Sequence, residues 1–372
     1  MRKSSTKPLF TLNVISLVGK TPFKITLKTI CILSAILFIF ISNNNAFSTG
    51  RGYDDNHQDE SVFTIENVHE FGVNFMEFSS DSNCLYTCGS REIRRWDTKT
   101  GAKLAESEHE EYRIDGFDIS PDGKYIVTGG EEIELRSAKD LKTTKSSDFY
   151  AGKKGVDSKV VAFTKDGNYI IATDDEGIRL FSAKDLKPVR TIVELKNKSF
   201  KDICLNSDGS LIALCDYDKE IILIDGKTWK PLKIISDLQD YASCLAFSPD
   251  DKLLAAGLYS GEIIIFQVDP LTVKLCFFGH QDGTYSIAFS PNGKLLASGG
   301  SQFTDTMLTI GPPVNIWSVE TGELVKQFKG HSTFVSAVAF NPDKKQLASC
   351  GGSQDAFSGD CVKYWNIKDF MK

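Results

Sequence analysis

The chain is poor in the residues and spacings that most chemistry needs. Its 372 residues include only five histidines, and there is no Cys-x-x-Cys, no His-x-x-x-His and no Cys-x-x-Cys-His. A Gly-rich phosphate loop and a Gly-x-Ser-x-Gly elbow are also missing, so the short signatures of nucleotide binding, serine hydrolysis, zinc ligation and haem attachment are all absent. No cofactor and no metal are expected. Positive charge is scarce after the first 48 residues, which hold six basic residues and no acidic one. The remainder has 37 basic against 49 acidic residues, a net of about −12, which argues against a nucleic-acid partner because phosphate binding needs a positive surface.

No apolar run is long enough to cross a membrane comfortably. The longest, Thr29 to Ile41, has 13 residues, about 20 Å of helix against a hydrocarbon core of about 30 Å. Following a basic stretch and preceding Ala46-Phe47-Ser48, it reads as the centre of a signal peptide over 1–48 with cleavage before Thr49. The long basic lead-in leaves an uncleaved signal anchor as an alternative, which would be the chain's one route to a membrane. A buried apolar strand or helix is the third. The first two place the rest of the chain outside the cytoplasm, periplasmic or extracellular. Residues 49–60 are a polar linker whose His57, among acidic neighbours, reads as solvated leader rather than a weak metal site.

What is present, from residue 61 to 372, is a repeat. The stretch from Gly279 to Gly300 begins Gly-His and alternates through Tyr285, Ile287 and Phe289. It then turns at Ser-Pro-Asn-Gly and continues as a second apolar run, with Val314 to Trp317 beyond. Alternation at period two marks half-buried strands, and the Pro-Asn-Gly between them marks a hairpin. Positions equivalent to Phe289 are Phe78, Ile119, Phe163, Leu205, Phe247 and Phe340, spaced by 41, 44, 42, 42, 42 and 51 residues. Third strands end at Trp96, Arg136, Phe181, Ile224, Phe266, Trp317 and Trp365.

A period of about 40 to 45 with a Gly-His start and a Trp-ended strand resembles the WD40 family. The resemblance implies an all-β, seven-bladed WD40-type β-propeller. Seven first strands are followed by only six fourth strands, so Ser61 to Glu66 is expected to complete the last blade and close the ring. In the family the His of Gly-His bonds a Ser on the second strand, the Trp on the third and an Asp in the turn between. His280 with Ser298 and Trp317, and His331 with Ser349 and Trp365, fit that pattern, with Asp360 as a candidate acid one residue out of place. Cys88, Cys215 and Cys350 recur at one packed position and read as small apolar residues. Cys350 and Cys361 flank an insertion on neighbouring strands and could bridge in an oxidising compartment.

The blade order implied by the resemblance puts loops ahead of first strands, and loops between second and third strands, on one face, here called the top. The distances from anchor to third-strand end are 18, 17, 18, 19, 19, 28 and 25 residues, so the long inserts belong to blades 6 and 7. Phe303 and Phe357 lie in them. Aromatic residues precede or begin six first strands: Phe71, Tyr112, Phe200, Tyr241, Tyr285 and Phe334. They are expected to contact a protein or peptide partner near blades 6 and 7, or else to cap the blade cores. The function expected is a non-catalytic, monomeric interaction scaffold. The alternative is a small-ligand-binding or enzymatic propeller that uses the central channel.

Overall fold

The computed structural model describes residues 59–371 except 70–71, 111–112, 148–159, 175–176, 193–194, 196–197, 302–312, 332–333, 343–344 and 352–360. Seven four-stranded antiparallel sheets form the blades of a β-propeller. Their innermost strands are Phe75–Phe78, Gly116–Ile119, Val161–Phe163, Phe200–Leu205, Ala242–Phe247, Thr284–Phe289 and Val335–Phe340.

Each sheet is sandwiched between two neighbours, which explains its burial pattern. The second strand of blade 6, Leu295–Gly300, is buried at every position, and the fourth, Leu324–Phe328, is mostly exposed. A strand covered on both faces reads as a continuous small and apolar run, whereas alternation survives only where one face meets water. Small residues set the blade spacing: a Cβ on Gly299 would come within 2.5 Å of Val335 Cγ1 on the next blade.

Across each sheet the repeat positions form one row. Phe289 pairs with Leu296 and Leu296 with Trp317, and the same row is Phe340, Leu347, Trp365 in blade 7. Below it lies the hairpin turn. In blade 6 the Ser290 hydroxyl donates to Asn292 at 2.8 Å and accepts the Leu295 N–H at 2.9 Å. Gly293 takes φ +69, a left-handed conformation that glycine adopts without strain.

The ring closes through Phe63–Glu66, which pairs antiparallel with Cys361–Asn366, Phe63 opposite Tyr364 and Glu66 opposite Cys361. That sheet runs in the order Phe63–Glu66, Cys361–Asn366, Gln346–Gly351, Val335–Phe340. The closure begins earlier than the linker boundary at residue 60 suggests. Asp59 pairs with Lys363, the Glu60 carboxylate lies 3.1 Å from Lys326 Nζ, and the Glu60 N–H donates to the Lys329 carbonyl.

Ile65 is the apolar anchor of the closing strand, 6% exposed and packed with Val362, Tyr364 and Val68. Ile65→Ala should therefore cost about 2–4 kcal/mol in chemical denaturation. Val62→Ala, at a site 56% exposed, should stay within about 0.5 kcal/mol. Equal midpoints for the two variants would contradict closure by this strand.

Candidate functional site: the aromatic arc at the channel mouth

The loops of the top face are pinned from below by buried polar networks. In blade 1, Glu92 Oε1 accepts from His69 Nδ1 at 2.9 Å, since a carboxylate beside it can only accept. His69 Nε2 lies 2.8 Å from the Thr87 hydroxyl, and Trp96 Nε1 donates to the same hydroxyl at 2.9 Å. His280, Ser298 and Trp317 come together in blade 6, with Nε2–Oγ and Nε1–Oγ both 2.8 Å. His331, Ser349 and Trp365 do the same in blade 7, both at 2.7 Å. Burial lowers His280 to about 4 and His331 to about 3, so both imidazoles are uncharged at neutral pH and act as structural bridges.

Two blades reach the same end with charge. Arg136 stands where the tryptophan would be, 2% exposed, with Glu110 at 2.6 Å and Glu134 also paired to it. Burial raises Glu134 although the guanidinium opposes it. In blade 4, Lys198 Nζ binds Asp216 at 2.6 Å and Glu220 at 2.7 Å, with Asp218 at 3.4 Å. Desolvation works against the lysine charge there, but its carboxylate partners prevail and push its pKa up.

On this pinned face, five rings form a continuous arc over blades 4 to 7. Tyr217 and Tyr241 have centroids 5.2 Å apart. Tyr241 stacks on Tyr259 at 4.9 Å with planes 19° apart. Tyr259 lies 6.3 Å from Tyr285, and Tyr285 meets Phe334 edge-on at 6.1 Å and 86°. Tyr285 is fixed further by a 3.0 Å contact from its hydroxyl to Ser301. Tyr217 and Tyr259 are 45% and 46% exposed. Burial, with the neighbouring tyrosines and Asp240, pushes Tyr241 up to about 12, so its hydroxyl stays protonated. The arc lines the mouth of a channel of about 1060 Å³.

Deeper in the channel the walls are the free edges of the inner strands. Their N–H groups lack a fifth strand, and side chains of the preceding blade take them. Asp118 accepts the Phe163 N–H at 2.6 Å, Asp202 the Leu245 N–H at 2.7 Å, and Ser286 the Val338 N–H at 3.1 Å. Glu77 accepts from Ile119 in the same way. Ser336 completes the pattern by donating to the Val73 carbonyl at 2.6 Å, from the last blade to the first. Burial pushes Asp118 and Asp202 up to about 6 and raises Glu77 well above its usual range.

Of the aromatics expected to meet a partner, Tyr241, Tyr285 and Phe334 fall in the arc. Phe200 does not: it is 1% exposed and packs in a core cluster with Ile212 and Leu214, so it caps its blade. Phe71, Tyr112, Phe303, Phe357 and Asp360 lie outside the described residues. The place opposite His331 Nδ1 is taken by Cys361, whose Sγ is 3.8 Å away. Pairing of Ile93 with Cys88 and of Val362 with Cys350 makes Cys361 the counterpart of Glu92.

The expected Cys350–Cys361 bridge is corrected, since both residues are thiols. Cys350 lies opposite Val362, and Cys361 opposite Gly351. Adjacent residues of a strand point to opposite faces, so the two sulfurs flank the sheet rather than meet. Tyr217 and Tyr259 lie outside the loops ahead of the first strands, where the sequence points to aromatics. Both directly follow a second strand, and they are 42 residues apart, the repeat period itself.

Comparison with known proteins agrees with this architecture. Residues 60–97, 229–267, 271–306 and 322–366 match the WD domain, G-beta repeat family. The chain is 26% identical over 308 residues to a WD repeat-containing protein WDS homolog from Arabidopsis thaliana, covering 81% of this chain and 49% of that one. It is 23% identical over 212 residues to the U3 small nucleolar RNA-associated protein 15 homolog of Xenopus tropicalis, covering 54% and 39%. It thus spans half the length or less of these curated relatives. The β-propeller domain of Cps50 (Swd1) from Myceliophteria thermophila superposes with a TM-score of 0.67 at 16% identity, over 83% of this chain and 100% of that domain. The protein is a seven-bladed β-propeller, and four stretches of its chain match the WD40 repeat.

The relatives also correct the expected export. One is named for a small nucleolar RNA, which belongs inside the cell, and nothing in the comparisons supports a signal peptide, a membrane anchor or a place outside the cytoplasm. The 13-residue run, apolar except for Thr29 and Ser34, matches a signal core in length, but length and hydropathy are shared by other short apolar segments. The run lies outside the described residues. Among those described, no helix is long and apolar enough to cross a membrane.

The channel carboxyls give a pH signature. Asp202, half-buried on the channel wall and desolvated so that it titrates near 6, keeps a proton that the unfolded chain, with an aspartate near 3.9, has already lost. Its contribution is complete below pH 4 and is lost as pH rises through 6. Asp202→Asn retains an acceptor for the Leu245 N–H and should flatten the decline in unfolding free energy between pH 4 and 6. An unchanged slope would show that Asp202 ionises freely in the folded state.

Proposed function

We propose that this protein is a non-catalytic interaction module that holds a protein or peptide segment across the top face, on the arc formed by Tyr217, Tyr241, Tyr259, Tyr285 and Phe334. The observation that carries this reading is the arc itself: rings in mutual contact, partly exposed, on loops fixed by buried networks. Rigid aromatic side chains supply large contact area at small entropic cost, and such residues dominate binding hot spots. The site is broader than blades 6 and 7, since it starts at Tyr217 in blade 4. The WD-repeat relatives fit an interaction role. Chemistry in the channel is disfavoured because Glu77, Asp118 and Asp202 are engaged by backbone N–H groups of the next blade.

A random linear peptide library selected on the intact protein tests the reading. Enriched peptides should bind Tyr241→Ala/Tyr259→Ala about thirtyfold or more weakly, the loss expected from hot-spot truncation of about 2 kcal/mol. A bottom-face control, Lys124→Ala/Lys252→Ala, removes two lysines that are 73% and 80% exposed and should leave binding unchanged. Enriched peptides that ignore the first pair and are lost with the second would place the functional face on the other side.

A further inference from the structure

Resting on that reading, the geometry points to a narrower ligand class: we infer that the arc selects segments carrying arginine or lysine side chains. The described top loops of blades 4 to 6 hold five carboxylates, Asp218, Glu220, Asp237, Asp240 and Asp282, with Asp216 and Glu262 at the adjoining strand ends, against two lysines, Lys198 and Lys219. Neither lysine is available to an anionic partner. Lys198 is enclosed by three of the carboxylates. Lys219 Nζ donates to the Gln239 carbonyl at 2.9 Å and lies 3.8 Å from Asp240.

The rings add to the same preference. A tyrosine face is electron-rich and attracts an ammonium or guanidinium group placed over it, more strongly as water is excluded. Tyr241, held protonated, offers a neutral ring rather than a phenolate. Stacked bases could use the same faces, but a nucleic acid would bring phosphates into a field of net negative sign without the basic groove such binding requires. Two cations also line the channel, Arg113 in the loop ahead of Gly116–Ile119 and Lys201 near the start of Phe200–Leu205. Arg113 is paired with Asp115 at 2.9 Å, and Glu77, Glu131 and Asp202 share that wall. A cationic segment is therefore matched both to the arc and to its surroundings.

Three probes decide between partners: an Arg-Gly repeat peptide, a Glu-Gly repeat peptide of equal length, and oligouridine. The Arg-Gly peptide should bind at least tenfold more tightly than either other probe. Its affinity should fall with rising ionic strength, because the rim charges are exposed and screened. Tyr241→Ala/Tyr259→Ala should weaken it at least tenfold. Asp218→Lys, at a carboxylate 68% exposed, should weaken it severalfold while leaving the melting temperature in place. Asp240→Asn, which keeps an acceptor for the Tyr241 N–H, gives a second charge-removing variant with the same expected direction. Library peptides that need the arc but are neutral or acidic would overturn the charge selectivity and leave the interaction reading standing. Failure of every peptide to depend on the arc would overturn the interaction reading. Oligouridine binding more tightly than the Arg-Gly peptide would replace the inference with nucleic-acid recognition.

Discussion

A four-stranded sheet buried on both faces has no stability of its own, and that constraint governs the structure. Each blade needs a neighbour on either side, so the ring must close, and a ring built from one chain can close only where its two ends meet. The pairing of Phe63–Glu66 with Cys361–Asn366 brings together residues about 300 positions apart. The entropic cost of such a loop grows only logarithmically with length, whereas an open ring would expose two full blade faces and an unpaired edge. Ion pairs at the seam, from Asp59 to Lys363 and from Glu60 to Lys326, and the backbone bond from the Glu60 N–H to the Lys329 carbonyl add to the ladder where the two ends of the chain meet.

Closure leaves seven inner edges facing the channel, and their treatment explains the buried acids. At four junctions Glu77, Asp118, Asp202 and Ser286 of one blade accept an N–H that a further strand would have taken in the next, and Ser336 donates to the Val73 carbonyl of the first blade. This satisfies the edge and sets the angular spacing between blades together. Burial makes ionised carboxyls there costly, so Asp118 and Asp202 are displaced upward toward 6. Acids in a channel are often read as catalytic. Here their oxygens are used by the scaffold, and the pKa displacement follows from desolvation alone.

The blade count and the closing strand were legible because they depend on period and alternation, which the chain displays directly. The polar networks were legible only in part. His280 and His331 stand in Gly-His, but His69 follows Val68, so only the structure revealed its full set with Thr87, Trp96 and Glu92. Arg136 at a tryptophan position gave no sign that Glu110 and Glu134 would surround it. Cys361 faces His331 because strand register decides which side chain meets the imidazole, and the expected acid, Asp360, lies outside the described residues. Phe200 and Tyr241 sit at similar repeat positions yet differ in fate. Phe200 begins its inner strand and turns into the core with Ile212 and Leu214, while Tyr241 precedes its strand and lies against Tyr217 and Tyr259.

Among the described residues the arc occupies one side of the mouth, and the second-to-third-strand loops of blades 4 and 5 contribute to it. Blades 4 and 5 place Tyr217 and Tyr259 there, while the corresponding loop of blade 2 begins Gly130-Glu131. In blades 4 to 6 both kinds of loop contribute a ring: Tyr241 lies between Tyr217 and Tyr259, and Tyr259 between Tyr241 and Tyr285. Interleaving of this kind holds each ring in place before a partner arrives, so less conformational freedom is lost on binding. Pinning matters for the same reason. Lys198 with its carboxylates steadies the loops around Tyr217, and the network of His280, Ser298 and Trp317 steadies the approach to Tyr285. The charge that fixes the blade 4 loops is net negative because one lysine is held by three acids. The groups that make the aromatic surface rigid are therefore also those that give its rim its sign.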